Sequence, residues 1–302
     1  MMRCLLAILA LLLLSACQGP PSLPNIPLSQ SPLGREDLDS GMIHDIKSGQ
    51  ELTPQQLAER LALAPRVLVG ELHDNPDHHA LQLWLLQVLA DRRQQGSLLL
   101  EMINPDQQAS VDAVRADIAR AEFPPDLSAA LHWQKGWDWA LYGPIVRYAL
   151  AQPYPLLSAN LDAAEVTSIY KQPPLMEGTL SSAPSVREKL LEQVRMSHCG
   201  LLLEEQLPAM VAIQQLRDRR MAERLMAAPA PALLFAGSWH VRKDVGVPLH
   251  MADIGAQEPP VVLILSQIGT DVDPASADYV WSTAATPAQD YCAGMRKPTS
   301  GN

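Results

Sequence analysis

Two stretches of the chain share one pattern, an apolar run followed by Gly-x-x-His. They are Val67-Leu68-Val69-Gly70-Glu71-Leu72-His73 and Leu233-Leu234-Phe235-Ala236-Gly237-Ser238-Trp239-His240. A glycine closing a buried strand lets the backbone turn without a Cβ clash. The histidine three residues on then falls just past the strand end, the rim where open α/β sheets bind ligands. Near the first histidine, Glu71, His73, Asp74, His78 and His79 lie within nine residues. Glu71 and His73 share a face of an extended chain. His78 and His79 occupy the first turn of a following helix, whose positive end favours neutral imidazole. Such residue types suit a divalent metal, with His73, His78, His240 and Glu101 as candidate ligands, or acid–base work. The alternative is a solvated helix start that carries some histidines, since no HExxH spacing is present.

Other polar groups recur at strand ends. Glu101 follows Leu98-Leu99-Leu100, where a carboxylate requires a partner or solvent. Asn160 follows a third apolar run, and His240 and Arg242 follow a fourth. In a parallel sheet Glu101 would lie beside the Gly70–His73 turn, and Glu71, His73, Glu101, Asn160 and His240 would line one edge. As a hydrolase, the chain would use Glu71, His73, Glu101 and His240, with a metal-bound water attacking an ester or amide. Trp133, Trp137 and Trp139 cluster with Tyr142 as an aromatic packing edge or a stacking surface for a flat ligand. Tyr170-Lys171 is a surface pair or a phenolate assisted by a cation, and phenolate is a ligand for ferric haem. A Gly-x-Ser-x-Gly elbow, a phosphate loop and a dinucleotide fingerprint are all missing from the sequence.

These groups need elements to place them. Val67–Gly70, Leu98–Leu100, Leu156–Ala159, Ala232–Ala236 and Val261–Leu265 read as buried strands, with Asp278–Trp281 as a short edge strand. Asn75-Pro76-Asp77 and Asn104-Pro105-Asp106 are helix starts. Leu81, Trp84, Leu85, Val88 and Leu89 then keep a helical period. Strand-to-helix units in series predict an α/β fold, with a mainly parallel or mixed central sheet flanked by helices. Residues 184–228 contain few helix breakers and predict a helical insert or subdomain.

The first residues give an address. Arg3, the apolar run Leu5 to Leu14 and Leu14-Ser15-Ala16-Cys17 form a signal peptide over residues 1–16 that ends in a lipoprotein box. Cys17 would become the acylated first residue, and Gln18 rather than Asp after it favours the outer membrane. Residues 17–34, rich in Pro and Ser, predict a flexible lipid-anchored linker. The α/β domain is expected over 35–282 and a weakly patterned tail over 283–302. The net charge of −10 makes nucleic acid an improbable partner. Membrane contact is expected only through the lipid, because no other apolar run is long enough to span a bilayer. Cys4 leaves with the signal. In an oxidising compartment Cys199 and Cys292 are then expected to pair, although His198 beside Cys199 also suggests a thiol nucleophile.

The chain resembles the ChaN-like family of haem-binding lipoproteins, within the Tiki/TraB-like and erythromycin-esterase-like superfamily. The resemblance covers roughly residues 55–269. It is carried by the segment from Val67 to His79, by Leu99-Leu100-Glu101-Met102, Gly136-Trp137-Asp138-Trp139 and Ala159-Asn160-Leu161. It continues through His198-Cys199-Gly200, the segment from Arg217 to Ala222, the segment from Gly237 to Arg242, and Gly246-Val247-Pro248. The family implies an outer-membrane lipoprotein in haem or iron uptake, with haem at a homodimer interface and a tyrosine on the iron. The superfamily implies metal-dependent hydrolysis, placing His73, His240 and either Glu71 or Glu101 in that role. No motif places the tyrosine. Tyr170 is the first choice and Tyr142 the second, while Tyr148, Tyr154, Tyr279 and Tyr291 stay open. Lys171 or Lys135 would meet the propionates. An outer-membrane haem receptor is the further partner to expect.

Overall fold

The computed structural model describes residues 23–290 and 292–293. The signal peptide, acylation at Cys17 and Tyr291 lie outside the described residues.

The described chain opens with a hairpin of two three-residue strands, β1 (Ile43–Asp45) and β2 (Gln50–Leu52). Helix α1 (Pro54–Leu63) starts at Thr53, whose side chain and that of Gln56 cap each other's backbone N–H. Strand β3 (Arg66–Glu71) carries the first motif. Helix α2 (Pro76–Ala90) follows, with the Asn75 side chain accepting from the backbone of Asp77 and His78. Next come β4 (Ser97–Leu100), α3 (Gln108–Ala119), the single turn α4 (Leu127–Ala130) and α5 (Trp139–Leu150). Strand β5 (Leu156–Ser158) leads to α6 (Ala163–Lys171), α7 (Pro184–Ser197) and α8 (Leu207–Ala227). Strand β6 (Ala232–Gly237) carries the second motif into the short helix α9 (Ser238–Val241). Helix α10 (Val247–Asp253), β7 (Val261–Gln267) and β8 (Tyr279–Thr283) complete the set.

The eight strands form one mixed sheet in the order β2-β1-β8-β7-β3-β6-β4-β5. Six strands, from β8 to β5, pair in parallel, and the β1–β2 hairpin adds antiparallel strands beyond β8. Strand β8 is therefore an interior strand and not the edge expected from its sequence. The hairpin covers it, through pairs such as Ile43 with Trp281. Strands buried on both faces read as continuous apolar runs, and alternation then sorts their side chains. Val67, Val69, Leu98, Leu100, Leu233 and Phe235 join the core under α2 and α5. Leu68, Leu99, Leu234 and Ala236 join the opposite core with Met221, Ala222 and Leu225 of α8.

The helical stretch over 184–228 has two roles. Helix α7 and the start of α8 enclose a small core of their own, with Val186, Leu190, Val194, Leu207 and Val211. The rest of α8 lies on the sheet and is the crossover into β6. The described part of the expected linker, residues 23–34, also differs from expectation, because it is strapped to the domain. Trp84 Nε1 donates to the Pro24 carbonyl at 3.0 Å. Asp77 accepts from Ser29 Oγ at 2.6 Å and from the Gln30 and Ser31 N–H groups. The buried Ser31 donates to Asn75 Oδ1 at 3.0 Å, and Leu33 bridges to Ala285. A Pro/Ser-rich composition suggests a free coil, but a buried carboxylate at the start of α2 supplies the acceptors that hold this one. Cys199 and Cys292 are joined by a disulfide that ties the turn after α7 to the segment beyond β8.

Candidate functional site

Both motifs end on the same rim of the sheet because β3 and β6 are parallel neighbours, with Glu71 in register with Gly237. Each motif's glycine makes room for the other. A Cβ on Gly237 would lie 2.9 Å from His73 Cε1 and 3.0 Å from His73 Nε2. A Cβ on Gly70 would lie 2.9 Å from Ser238 Cα and also meet Val241. Close approach, more than a special turn, is what these glycines provide. One sequence expectation is corrected here. Glu101 does not lie beside the Gly70–His73 turn, because β6 is inserted between β3 and β4. Glu101 therefore faces the second motif.

The resulting cluster has two halves. In one, Glu71 Oε1 pairs with His73 Nδ1 at 2.6 Å and accepts from Tyr142 Oη at 3.1 Å. His79 props this half from below, with Nε2 3.1 Å from the His73 carbonyl oxygen. In the other half, Glu101 Oε2 accepts the Gly237 N–H at 2.8 Å, and Oε1 lies 3.2 Å from His240 Nε2. The other imidazole nitrogen, His240 Nδ1, donates to Asp218 of α8. Asn160 belongs to the frame: its Nδ2 donates to the Glu101 carbonyl at 2.9 Å. Glu71, Glu101, Asp218 and His240 are all buried.

Burial and charge compete at each of these groups. Burial alone would discharge His240, but the Glu101 and Asp218 carboxylates outweigh it and raise the imidazole to about 10. Burial likewise opposes a charge on His73, yet Glu71 and then Glu101 lift it to about 9. Burial would raise the Glu101 carboxyl, and His240, His73 and the Gly237 N–H instead hold it well below the usual carboxylate range. The site is thus an ionic network of alternating imidazolium and carboxylate groups, buried except for the partly exposed His73 ring, and at Asp218 burial prevails and raises the carboxyl to about 6.

The network forms the floor of a cavity of about 570 Å³. Its walls include Trp137, His198, Gln214, Arg217 and Trp239. The Arg242 guanidinium stacks over Trp239, 4.5 Å from the ring centre, and pairs with Asp244 at 2.7 Å. Arg217 makes no ion pair among the described residues, and its Nε is buried without a partner.

Several expected residues fall elsewhere. His78 is fully buried behind the rim, where Nδ1 accepts the Leu72 N–H at 2.9 Å and Nε2 lies 2.9 Å from Thr283 Oγ1. It is no metal ligand: burial pushes it down to about 3 and both nitrogens are engaged. His240 keeps Nδ1 on Asp218 and Nε2 3.2 Å from Glu101, and His73 keeps Nδ1 on Glu71. Among the described residues no group of three or more His, Cys, Asp or Glu has metal-holding geometry. Tyr142 is also corrected as a haem ligand. It is 2% exposed and its hydroxyl donates to Glu71. Burial, followed by the Glu71 and Glu101 charges, drives its phenol far above the ordinary value.

Tyr170 lies on the surface of α6, 40% exposed, and Gln206 Nε2 donates to its Oη at 2.8 Å. Lys171 beside it is exposed. His198, in the cavity wall, keeps Nδ1 on the Val194 carbonyl, and Cys199 is bridged, so neither forms a thiol–imidazole pair. Asp218 was missed. It occupies the same helical stripe as Val211, Ala222 and Leu225, all buried. A lone carboxylate on such a stripe is the signal that would have found it.

The model of the family described as haem-binding uptake, Tiki superfamily, ChaN, matches residues 57–251. The solved structure titled "Cofacial heme binding to ChaN of Campylobacter jejuni" is similar at 31% identity and a TM-score of 0.73, over 79% of this chain and 95% of that one. A mutant of the erythromycin esterase EreC in its open conformation is similar at 13% identity and a TM-score of 0.44, over 76% and 77% of the two chains. The type III effector HopBA1 is similar at 13% identity and a TM-score of 0.37, over 76% and 91%. The last two are too distant to carry conclusions about chemistry. No curated protein sequence matches the chain. With the family model covering well over half of the sequence and a solved ChaN aligned along nearly its whole length, the chain belongs to the ChaN family of haem-binding uptake proteins in the Tiki superfamily.

Proposed function

We propose that this protein is an outer-membrane lipoprotein that takes up haem as cargo for iron acquisition. It would bind haem as a homodimer, with Tyr170 on the iron. Family membership supports haem as the ligand. The observation that carries the residue choice is exposure: Tyr170 is the one exposed tyrosine among the described residues. A hard phenolate favours ferric iron and leaves the haem removable, as a carrier requires. The hydrogen bond from Gln206 points at the phenol oxygen and survives loss of its proton.

The surroundings suit a flat apolar cargo covered by a second subunit. Leu175, Leu180, Met196, Leu201 and Leu203 are exposed on the segments that follow Tyr170, a density of apolar side chains that marks an interaction surface. A cavity of about 280 Å³ opens among Leu175, Met176, Pro208 and Arg187. Arg187 and Lys171 are cations of the right type to meet propionates. A haem titration run beside size-exclusion chromatography tests the proposal. Wild type is expected to bind saturably with a high-spin ferric tyrosinate spectrum and to shift to a dimer. Tyr170→Phe is expected to lose that spectrum, whereas Tyr142→Phe keeps it. An unchanged spectrum in Tyr170→Phe would remove Tyr170 from the iron. An outer-membrane haem receptor is the natural recipient of such cargo.

A second function, metal-independent acid–base work on a small ligand, is favoured by one observation. The Asp218–His240–Glu101 chain is buried and charged, yet opens into the 570 Å³ cavity. Networks of this kind cluster at functional sites.

A further inference from the structure

The strap over residues 23–34 raises a question that haem binding does not answer. It is fastened by hydrogen bonds to Asp77, Asn75 and Trp84, yet between its exposed polar residues it presents apolar side chains to solvent. Leu28 is 89% exposed and Leu38, just after the strap, 92%; Ile26 and Leu33 are about half exposed. Ile26 and Leu28 border one shallow cavity with Ser40, Gly41 and Trp281. That cavity sets the strap beside the turn that carries Leu38. Rigidly held, solvent-facing leucines of this kind are costly to leave in water.

The chain itself indicates what covers them. Cys17 stands at the end of the lipoprotein box, and residues 17–23 span at most about 20 Å when fully extended. We infer that Ile26, Leu28, Leu33 and Leu38 form a membrane-facing patch that rests in the lipid surface to which Cys17 is anchored. This placement holds only if Cys17 carries lipid, which belongs to the proposed function. A flexible tether would let the domain tumble. A strap pinned within 20 Å of the acyl chains instead sets one flank against the bilayer.

The charges near the patch argue for apolar contact over headgroup attraction. Glu36, Asp37 and Asp39 flank Leu38, and Arg35 is engaged with the Ser31 and Gln30 carbonyls. Docking should therefore require no anionic lipid and little change with salt. The fold adds a consequence. The strap lies along α2 and the β8 end of the sheet, whereas Tyr170 lies on α6, which packs against α8, the helix that covers the opposite face of the sheet. The tyrosine surface would thus point away from the membrane and stay open to a second subunit.

The test uses the full lipidated protein in phosphatidylcholine vesicles. Cys17 is acylated and Cys199 is bridged to Cys292, so an introduced cysteine is the only thiol. An environment-sensitive fluorophore is attached at Leu28→Cys, Leu38→Cys or, as a control outside both the strap and the tyrosine surface, Phe123→Cys, whose position is 71% exposed. The expected result is blue-shifted emission, quenching by brominated acyl chains and loss of iodide quenching at positions 28 and 38, with water-like behaviour at 123. If 28 and 38 stay fully iodide-accessible on protein that remains vesicle-bound, the patch is overturned while the anchor stands. If they are shielded from both quenchers and cross-link between copies, the patch is a self-interface and the inference fails. If the intact mass lacks the acyl groups, the lipoprotein proposal itself fails and the patch loses its basis.

Discussion

At the scale of single residues, the site is a set of charges that survive burial only because they face one another. Removing one partner of a buried ion pair leaves the other uncompensated and costs about 3–5 kcal/mol. Asp218→Ala, which strands His240, should lower urea stability by about that much, and Asp218→Asn by less, because the amide can still accept from Nδ1. A loss below about 1 kcal/mol in Asp218→Ala would show that the pair is not ionised. If the cluster performs acid–base work, Asp218→Asn should impair ester turnover and spare haem binding.

The same charges set a pH window. The folded pKa of His73, about 9, lies above its unfolded value of ~6.5, so its contribution is complete below 6.5 and is lost as pH rises through 9. Glu71, Glu101, His240 and Tyr142 are the ionisable groups that face it. His78 acts in the opposite sense. Held neutral down to about 3, it costs stability as pH falls below ~6.5, where the unfolded chain takes up the proton. Denaturation midpoints should therefore peak at about pH 6.5 and fall as pH rises toward about 9. His73→Gln should flatten the alkaline limb only; a parallel loss in both proteins would refute the assignment.

At the scale of elements, β3 and β6 were legible because a strand buried on both faces has no polar positions to obscure it. The β1–β2 hairpin was not legible. Ile43-His44-Asp45 and Gln50-Glu51-Leu52 are mostly polar and three residues long, and the hairpin is held by its pairing to β8 rather than by its own pattern. The disulfide is another long-range element. It closes a sequence separation of 93 residues, and restricting the unfolded chain over such a loop is worth about 4–5 kcal/mol on chain entropy. Cys199→Ser/Cys292→Ser should lose roughly 2–5 kcal/mol in urea unfolding without reductant. A loss under about 1 kcal/mol would show that the segment beyond β8 adds little constraint.

At the scale of the whole molecule, two flanks would carry different tasks: an anchored one along α2 and β8, and an exposed tyrosine surface on α6. The ionic network lies at the carboxyl rim of β3 and β6. Sequence alone determined the fold class, because apolar runs of strand length alternating with capped helices admit few packings besides a parallel sheet with crossovers. It also determined the family and named Glu71, His73, Glu101 and His240 as residues of one rim, since each lies at or within three residues of a strand end. Only the tertiary structure decided how they pair. Inserting β6 between β3 and β4 gave Glu101 to His240 and left Glu71 to His73. Asp218, Tyr142 and the strap acceptor Asp77 took their roles the same way, from elements distant in sequence. Strand order and helix docking are set by which apolar faces cover one another, a property of the assembled core that no local window of residues contains.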